Sequence, residues 1–287
     1  MNEKEENFSG GKDRIPSGLT GDGEFFGSHG QQELQRRSDF LWRIVKDDPR
    51  FQSHGRAIAL ADPTAENVAD QIAVAKLIGV CACEAVPEED VPWRRRALEA
   101  AGLTTDFYVE WRGEASALGA ARGVLEERPL PMDLTLRAVD ANTSSETMQG
   151  LDAVTQACEV LLPNGAFMRG VHRPSVCLYA EDSSGSVVGT SAAVAAFHPA
   201  HARAGCAWWG MLATTPDRRG AGIALHLGAR ALIEMNERHG IGEVFTGVRP
   251  GNRPSEALCS KLGLRPTEFQ ILLAIAPEVL GAGQVTK

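Results

Sequence analysis

Apolar and polar positions follow two periodicities in the second half of the chain, and they predict strands and helices in a fixed order. Residues 207–213 are almost all apolar, which is typical of a buried strand. An amphipathic helix is predicted next, because apolar residues recur at every fourth position, at Ile223, Leu227, Ala231 and Met235. Gly240 then stands where a glycine commonly ends a helix.

The same reasoning predicts the elements on either side of this strand and helix. Downstream it predicts a strand at 243–248, a short helix at 255–263 and an apolar strand at 269–275. Upstream it predicts a strand at 134–139, a mainly helical segment at 144–162, and a hairpin with its turn at 182–185. These elements predict an α/β fold with a mixed, mostly antiparallel sheet flanked by helices.

A glycine-rich turn joins the strand at 207–213 to its helix, with the sequence Arg219, Gly220, Ala221, Gly222, Ile223, Ala224. The first turn of a helix has backbone N–H groups without intrahelical partners, and the helix dipole favours negative charge there. Glycines let a ligand approach these groups, so the turn predicts a phosphate-binding site. A dinucleotide fingerprint would need a third glycine where Leu225 stands, and a nucleoside-triphosphate loop would need Gly-Lys-Ser/Thr.

Two motifs in this region resemble those of the GCN5-related N-acetyltransferase (GNAT) superfamily. Arg219, Gly222 and Ala224 match the acyl-CoA signature Gln/Arg-x-x-Gly-x-Gly/Ala. Asn252 and residues 258–264 match a later Asn and a Leu-Tyr-x-Lys-x-Gly-Phe segment. The resemblance covers residues 133–277. It implies transfer of an acetyl group from acetyl-CoA, as co-substrate, to an amine of a small molecule or peptide by direct attack on the thioester.

The resemblance also implies which residues hold acetyl-CoA. The strand before the glycine turn splays from its neighbour in this family, so that its backbone holds the pantetheine and polarises the thioester. Leu212, Ala213 and Thr214 occupy that place in this sequence. Backbone N–H groups from Arg219 to Ala224 would hold the pyrophosphate, and Asn252 would contact the cofactor or orient a water.

The catalytic groups follow the family pattern less closely. The family often has an acid tyrosine directly after the leucine that Leu258 represents, and Cys259 stands there instead. Cys259 and Asn252 are therefore the candidate catalytic residues. Packing is the alternative role for Cys259, and turn formation is the alternative for Asn252.

A general base is not evident on the strand before the turn, where the family often has a glutamate. Trp208 and Trp209 occupy this strand, and because strand side chains alternate, one is expected in the core while the other lines an acceptor pocket. His198 and His201 lie in the preceding loop and are candidates for the base, with simple solvent exposure as the alternative.

The first half of the chain repeats the predicted order of the second. It shows a strand at 57–63, a helix at 67–77, a strand at 79–87, a helix at 93–102 and a strand at 105–111. Residues 64–67 replace the glycine turn and include Glu66, so this copy should not bind a pyrophosphate. We expect it to extend the sheet or to shape the substrate cleft. An unrelated helical cap is the alternative.

Four segments are therefore expected. They are a disordered tail at 1–32, a degenerate GNAT-like half-domain at 33–128, a GNAT acetyltransferase domain at 129–280 and a C-terminal tail at 281–287.

Composition narrows the partners and the location. The formal net charge of −8 disfavours a general nucleic-acid binder, and residues 94–96, the one arginine triplet, are expected on a solvated helix face. No apolar run is long enough to predict a membrane span, and the charged N-terminus does not resemble a secretory signal, so a cytoplasmic protein is expected. The six cysteines are scattered, which predicts buried free thiols and no metal site.

Two other functions fit the same sequence. The absent tyrosine and base are compatible with a CoA-binding regulatory module of weak or no turnover. An acyltransferase that uses a longer acyl-CoA would share the same motifs.

Overall fold

One sheet of ten strands runs through the computed structural model, which describes residues 23–280. The strands are β1 (Phe51–Ser53), β2 (Ile58–Leu60), β3 (Val80–Pro87), β4 (Thr104–Gly113), β5 (Leu134–Ala138), β6 (Ser175–Asp182), β7 (Val187–Val194), β8 (Cys206–Thr214), β9 (Glu243–Val248) and β10 (Arg265–Ile275). The helices are α1 (His29–Val45), α2 (Val68–Ile78), α3 (Val91–Ala100), α4 (Ala115–Glu127), α5 (Ser145–Gln156), α6 (Gly165–Met168), α7 (Ile223–His239), α8 (Arg253–Lys261) and α9 (Pro277–Leu280).

The spatial order of the strands is β1-β2-β3-β10-β4-β9-β8-β7-β6-β5. Two neighbouring pairs are parallel, β2 with β3 and β8 with β9, and the other pairs are antiparallel. This is the mixed, mostly antiparallel sheet that the sequence predicts, and the hairpin of β6 and β7 has its turn at the expected place.

The middle of the sheet has the same pattern when it is read from either end. On one side β2 lies parallel to β3, and β3 pairs antiparallel with β10. On the other side β8 lies parallel to β9, and β9 pairs antiparallel with β4. Strands β10 and β4 pair with each other at the centre. The first half therefore repeats the second, and the last strand of each half is inserted beside a strand of the other.

Helices cover both faces of the sheet and divide the core in two. On one face α4 packs on α7, above a cluster that includes Trp209, Leu232 and Leu262. The other face has a larger cluster that includes Trp42, Phe167 and Trp208. Within residues 23–280, no helix is both long and apolar enough to cross a bilayer.

The described chain begins inside the segment that was expected to be a tail. Ser28 caps α1 in a capping box with Gln31, and Phe26 is buried just before it. Glu24 forms an ion pair with Arg169 at 2.6 Å. Residues 24–32 are therefore ordered and in contact with the rest of the fold, which differs from the expected tail at 1–32. Residues 1–22 and the expected tail at 281–287 lie outside the described residues.

The start of α2 has no glycine turn, and a buried arginine contacts the loop before it. Arg94 reaches this loop, where Nη1 donates to Thr64 O at 3.0 Å and Nη2 donates to Asn67 Oδ1 at 2.9 Å. Arg94 is fully buried, so the prediction that it lies on a solvated face is wrong. The loop and Gln71 supply acceptors that keep its cation inside. Protein groups therefore fill the region that corresponds to the turn before α7.

Candidate active site

Strands β8 and β9 separate near the middle of the sheet. Their parallel pairing runs only from Cys206 to Trp208, although β8 continues to Thr214. Beyond Trp208 the β9-facing edge of β8 has no strand beside it among the described residues. Exposed N–H and C=O groups of a strand edge can bind an extended ligand as an added strand. This is the splay that the resemblance implied for residues 212–214.

A β-bulge bends β8 at the point of separation. Met211 has a positive φ of +60°, and the pairing with β7 shifts register between Thr190 and Ala192. Thr190 Oγ1 donates to the Met211 carbonyl oxygen at 2.6 Å, which satisfies this buried acceptor. A bulge increases the local bend and twist of its strand, so it accounts for the departure of β8 from β9.

The glycine turn before α7 leaves backbone amides open. Gly220 and Gly222 have φ of +81° and +79°, which favours glycine at both positions. The first amide bonded within the helix is that of His226, which donates to Gly222 O at 2.9 Å. The three amides before it, at residues 223–225, precede the intrahelical pattern, and Gly222 supplies no side-chain cap. An anion can bind at such a helix start.

A cavity of about 500 Å³ connects the glycine turn to strands of the first half. Of the residues expected to bind acetyl-CoA, its wall contains Leu212, Ala213, Thr214, Arg219, Ala224 and Asn252. Gly220 and Ala221 are exposed in the turn, with Gly222 partly exposed beside them. Ile223 has its side chain buried under the sheet, so only its backbone is available to a ligand.

The two candidate catalytic residues lie in the same wall. Asn252 caps α8, where its side chain accepts from the Ser255 N–H at 3.4 Å, so turn chemistry explains part of its role. Cys259 is buried, and burial raises the pKa of its thiol to about 12. Cys259 is therefore a neutral thiol at ordinary pH, and it lines the cavity together with Leu258.

Glu84, on β3 of the first half, is a cavity residue that the sequence analysis did not single out. It is 3% exposed, and its Oε1 accepts from Gln52 Nε2 at 2.6 Å. The buried Oε2 has no hydrogen-bond partner among the described residues. Burial raises the pKa of this carboxyl to about 8, with Glu110 adding to the rise, while Arg203 and the Gln52 hydrogen bond oppose it. The sequence carries one signal for a buried carboxyl group, because Glu84 is a single carboxylate within the otherwise apolar segment 79–87.

Trp208 and Trp209 lie on opposite faces of β8, as strand alternation predicts, but both are buried and both line the cavity. Trp209 is fully buried and its Nε1 donates to Gly228 O at 3.2 Å on α7, which places it in the core. Trp208 lines the cavity on the other face. His54 lies edge-on to the Trp208 ring at 4.3 Å between ring centroids, and the Arg56 guanidinium stands over that ring at 4.8 Å.

The loop histidines are used elsewhere. His201 Nε2 contacts Asp62 Oδ2 at 2.7 Å, and its ring stacks on Phe197. His198 Nδ1 accepts from the Ala200 N–H. Neither histidine is among the residues that line the cavity, which favours a structural role for both.

Tyr108 is a second acidic group in the cavity wall. Its hydroxyl lies 3.1 Å from Arg249 Nη2, and Arg249 forms a two-point ion pair with Asp106. Burial raises the pKa of the phenol. Gly247 lies directly beneath, because a Cβ there would approach the Tyr108 Cβ to 2.9 Å. Among residues 23–280, no group of His, Cys, Asp or Glu is arranged to hold a metal ion.

Comparison with known proteins finds a family match for part of the chain. Residues 151–264 match the model of the acetyltransferase (GNAT) family. No significant match is found among curated proteins.

Solved structures with this fold include a GCN5-related N-acetyltransferase from Kribbella flavida, with 16% identity, a TM-score of 0.54, and coverage of 85% of this chain and 95% of that one. A Drosophila protein has 13% identity and a TM-score of 0.52, with coverage of 88% and 91%. A tandem GNAT protein from the clavulanic acid biosynthesis pathway has 15% identity and a TM-score of 0.50, with coverage of 73% and 67%. At these identities the likeness is one of fold. Residues 151–264 thus match the GNAT family, and the chain as a whole shares the fold of these GNAT structures.

Proposed function

We propose that the protein is an acetyl-CoA-dependent N-acetyltransferase that acetylates an amine of a small molecule or peptide inside the cavity between its two halves. One observation carries this proposal: the unpaired edge of β8 leads from the open amides at the start of α7 into a cavity whose far wall contains Glu84. The family of residues 151–264 supports acyl transfer from CoA to an amine.

Residues along the site would hold acetyl-CoA from its pyrophosphate to its thioester. The backbone amides at 220–225 would hold the pyrophosphate, since a helix start favours an anion. Arg219 would add a positive charge, because it is exposed beside the turn. Leu212, Ala213 and Thr214 would hold the pantetheine along the β8 edge, with Asn252 facing it from the start of α8. When bound, acetyl-CoA supplies an activated thioester carbonyl next to the bulge at Met211.

Glu84 would act as the base in this reaction. The neutral amine nitrogen forms a bond to the acetyl carbon, the carbon–sulfur bond breaks, and the proton lost from nitrogen goes to the carboxylate of Glu84. A base works best when its pKa lies near the working pH, and burial brings the pKa of Glu84 to about 8.

Cys259 would serve the departing sulfur. A thiol has an ordinary pKa of about 8.5, so its thiolate leaves with little help. Cys259 remains protonated because burial raises the pKa of its thiol, and it would donate a hydrogen bond to the leaving sulfur.

A thermal-shift titration with acetyl-CoA tests the binding half of the proposal. At 100 times Kd, the ligand should add about 2.7 kcal/mol to the free energy of unfolding, which raises Tm by about 2–4 °C for a protein of this size. Gly222→Glu should abolish this shift, because it places a carboxylate where the pyrophosphate binds.

Gly240→Glu is the matched control for this titration. Gly240 ends the same helix α7 with φ of +69°, and both positions leave open space for a side chain. Both variants thus strain a left-handed residue, but only one lies at the proposed phosphate site. The absence of a shift in folded wild type would reject the acetyl-CoA assignment. A shift without thiol release for any amine would favour the regulatory-module alternative.

A further inference from the structure

The acceptor end of the cavity contains an arginine whose charge the described protein does not balance. Arg56 lies in the turn between β1 and β2 and lines the cavity. Its Nε and Nη2 atoms are buried and have no hydrogen-bond partner among residues 23–280. No carboxylate of the described chain lies within ion-pair distance of its guanidinium. Arg56 as a whole is partly exposed, but burying these two N–H groups without an acceptor is unfavourable.

The turn that carries Arg56 is held rigidly in place. Gly55 has φ of +91° and packs so closely under Phe167 that a Cβ would come within 2.8 Å of that side chain. The Asn164 N–H donates to Gly55 O at 2.8 Å, and Ser53 Oγ bridges the turn to the Ala57 carbonyl. The guanidinium then rests on the Trp208 ring. The cation is therefore fixed before any ligand binds.

The other arginines of the cavity have separate roles. Arg249 is neutralised by its ion pair with Asp106, at 2.7 and 2.8 Å. Arg219 lies in the glycine turn and contacts Thr214 O and Cys158 Sγ. Of the guanidinium groups that line the cavity within the described chain, Arg56 alone is both distant from the glycine turn and unpaired.

The position of Arg56 along the site points to the acceptor. Its partner Trp208 lies three residues before the bulge at Met211, on the side away from the glycine turn, or about 10 Å along an extended strand. The pyrophosphate would therefore be held far from Arg56. Glu84 belongs to the same region, because β3 lies beside β2, the strand that follows the Arg56 turn.

We propose that the acceptor carries a carboxylate next to its amine, and that Arg56 binds this carboxylate while Glu84 receives the proton of the amine. The substrate class is thus a free amino acid or a related amino carboxylate. This inference deepens the proposed acetyl transfer and rests on it.

The chemistry of the wall agrees with such a zwitterion. A guanidinium presents several N–H donors in a plane that suits a carboxylate, and desolvation strengthens that pairing. Burial lowers the pKa of Arg56 to about 10, which shows how poorly the site solvates the cation without an anion. His54 beside it is kept neutral, because burial lowers its pKa well below the ordinary value, so it does not compete for the carboxylate.

Steady-state kinetics with matched acceptors test the proposal. Glycine, alanine and phenylalanine are compared with their amides, using acetyl-CoA and detection of released thiol. The amino groups of the amides are less basic, so at a given pH a larger fraction of them is unprotonated and able to attack. This difference favours the amides, so it works against the predicted preference for the carboxylate. Wild type should prefer the carboxylate in kcat/KM by about tenfold or more for at least one pair.

Arg56→Gln should remove this preference through a higher KM for the amino acid, while the acetyl-CoA dissociation constant stays unchanged. Arg56→Lys should retain part of it. Arg173→Gln is the matched control: Arg173 also stands over a tryptophan ring, at 5.0 Å from the Trp42 centroid, but it does not line the cavity. This control should keep the full preference.

Several results would overturn the assignment. The first is equal rates for amino acids and amides in wild type, and the second is an unchanged preference in Arg56→Gln. The third is a preference for a carboxylate on the acyl group instead of on the acceptor. It would appear as faster use of succinyl-CoA than of butyryl-CoA with an uncharged amine. If wild type binds no acetyl-CoA, the proposed function itself fails. Arg56 is then tested by calorimetry of amino acid against amide, where equal affinity or no binding rejects the carboxylate site.

Discussion

At the scale of single residues, the proposed chemistry depends on Glu84, a side chain that sequence motifs do not mark. The glycine turn and Asn252 were found from local patterns, because a short contiguous motif forms each of them. Glu84 acquires its role through burial by strands distant in sequence, and such burial cannot be deduced from the β3 segment alone. Arg56 and Tyr108 were missed for the same reason, since they meet the cavity only after the first half folds onto β8 and β9.

Glu84 should make the protein less stable as the pH rises. Its folded pKa of about 8 exceeds the ordinary glutamate value of about 4.3. Between these values the folded protein holds a proton that the unfolded chain has lost, so the free energy of unfolding falls with increasing pH. Glu84→Gln should flatten this dependence and exceed wild type in stability at pH 9. Urea unfolding at pH 5, 7 and 9 measures it, and parallel curves for the two proteins would contradict the buried carboxyl.

Cys259→Ala should lower kcat by less than about tenfold, because a thiolate is already a good leaving group. Iodoacetamide should also modify Cys259 slowly in the folded protein, since burial keeps its thiol protonated and covered. Thiol release and mass spectrometry measure the two effects. A loss of a hundredfold or more would show that Cys259 has a larger role than donating a hydrogen bond to the leaving sulfur.

At the scale of elements, strong periodicity decided what could be predicted. The strand, helix, strand and helix order from β8 to α8 was predicted with small shifts at the ends. Helix α1 was missed because its buried face includes the polar residues Gln35, Ser38 and Asp39, which hide the apolar stripe. Helix α4 was missed because its fully buried positions are only Ala117 and Ala121. Small residues suit close packing on α7, but they give a weak hydrophobic signal.

The bulge in β8 is the element on which the proposed acetyl-CoA binding depends. Thr190→Val should destabilise the protein by about 1–3 kcal/mol, because it leaves the buried Met211 carbonyl without its donor. It should also raise the Kd for acetyl-CoA. Ser191→Ala is the control in the same strand, since the buried Ser191 hydroxyl has no partner among the described residues and its loss should cost little. Denaturant unfolding and calorimetry would test both, and equal effects would argue against a role for the Thr190 bond.

At the scale of the whole molecule, the two halves are joined by exchanged strands. The predicted division near residue 128 follows the chain, yet β4 and β10 each pair within the opposite half. The sequence predicted that the halves repeat, because their elements come in one order. It did not show the exchange, which depends on pairing between strands more than 100 residues apart.

Neither half should therefore fold alone. A fragment covering residues 23–128 loses the partner of β3, and one covering 129–287 loses the partner of β9. Each alone should show weak, uncooperative melting, because it leaves long strand edges unpaired. Co-expressed fragments should purify together and regain a cooperative transition by circular dichroism. Independent cooperative folding of either fragment would contradict the exchange.

In the proposed reaction, a carboxylate of the first half acts on an amine that attacks an acyl-CoA held by the second. The most direct test is the pH dependence of kcat, by thiol release at saturating acetyl-CoA and amine, for wild type and Glu84→Gln. Glu84→Gln should lower kcat by about 10²–10⁴-fold. Wild-type kcat should rise with pH through about 8, since only the deprotonated carboxyl of Glu84 accepts the proton. The variant should lose this rise and keep its acetyl-CoA affinity.

Glu234→Gln, which changes a buried carboxylate of α7 outside the cavity, should keep the wild-type profile. A Glu84→Gln enzyme with wild-type kcat and an unchanged pH profile would contradict the claim.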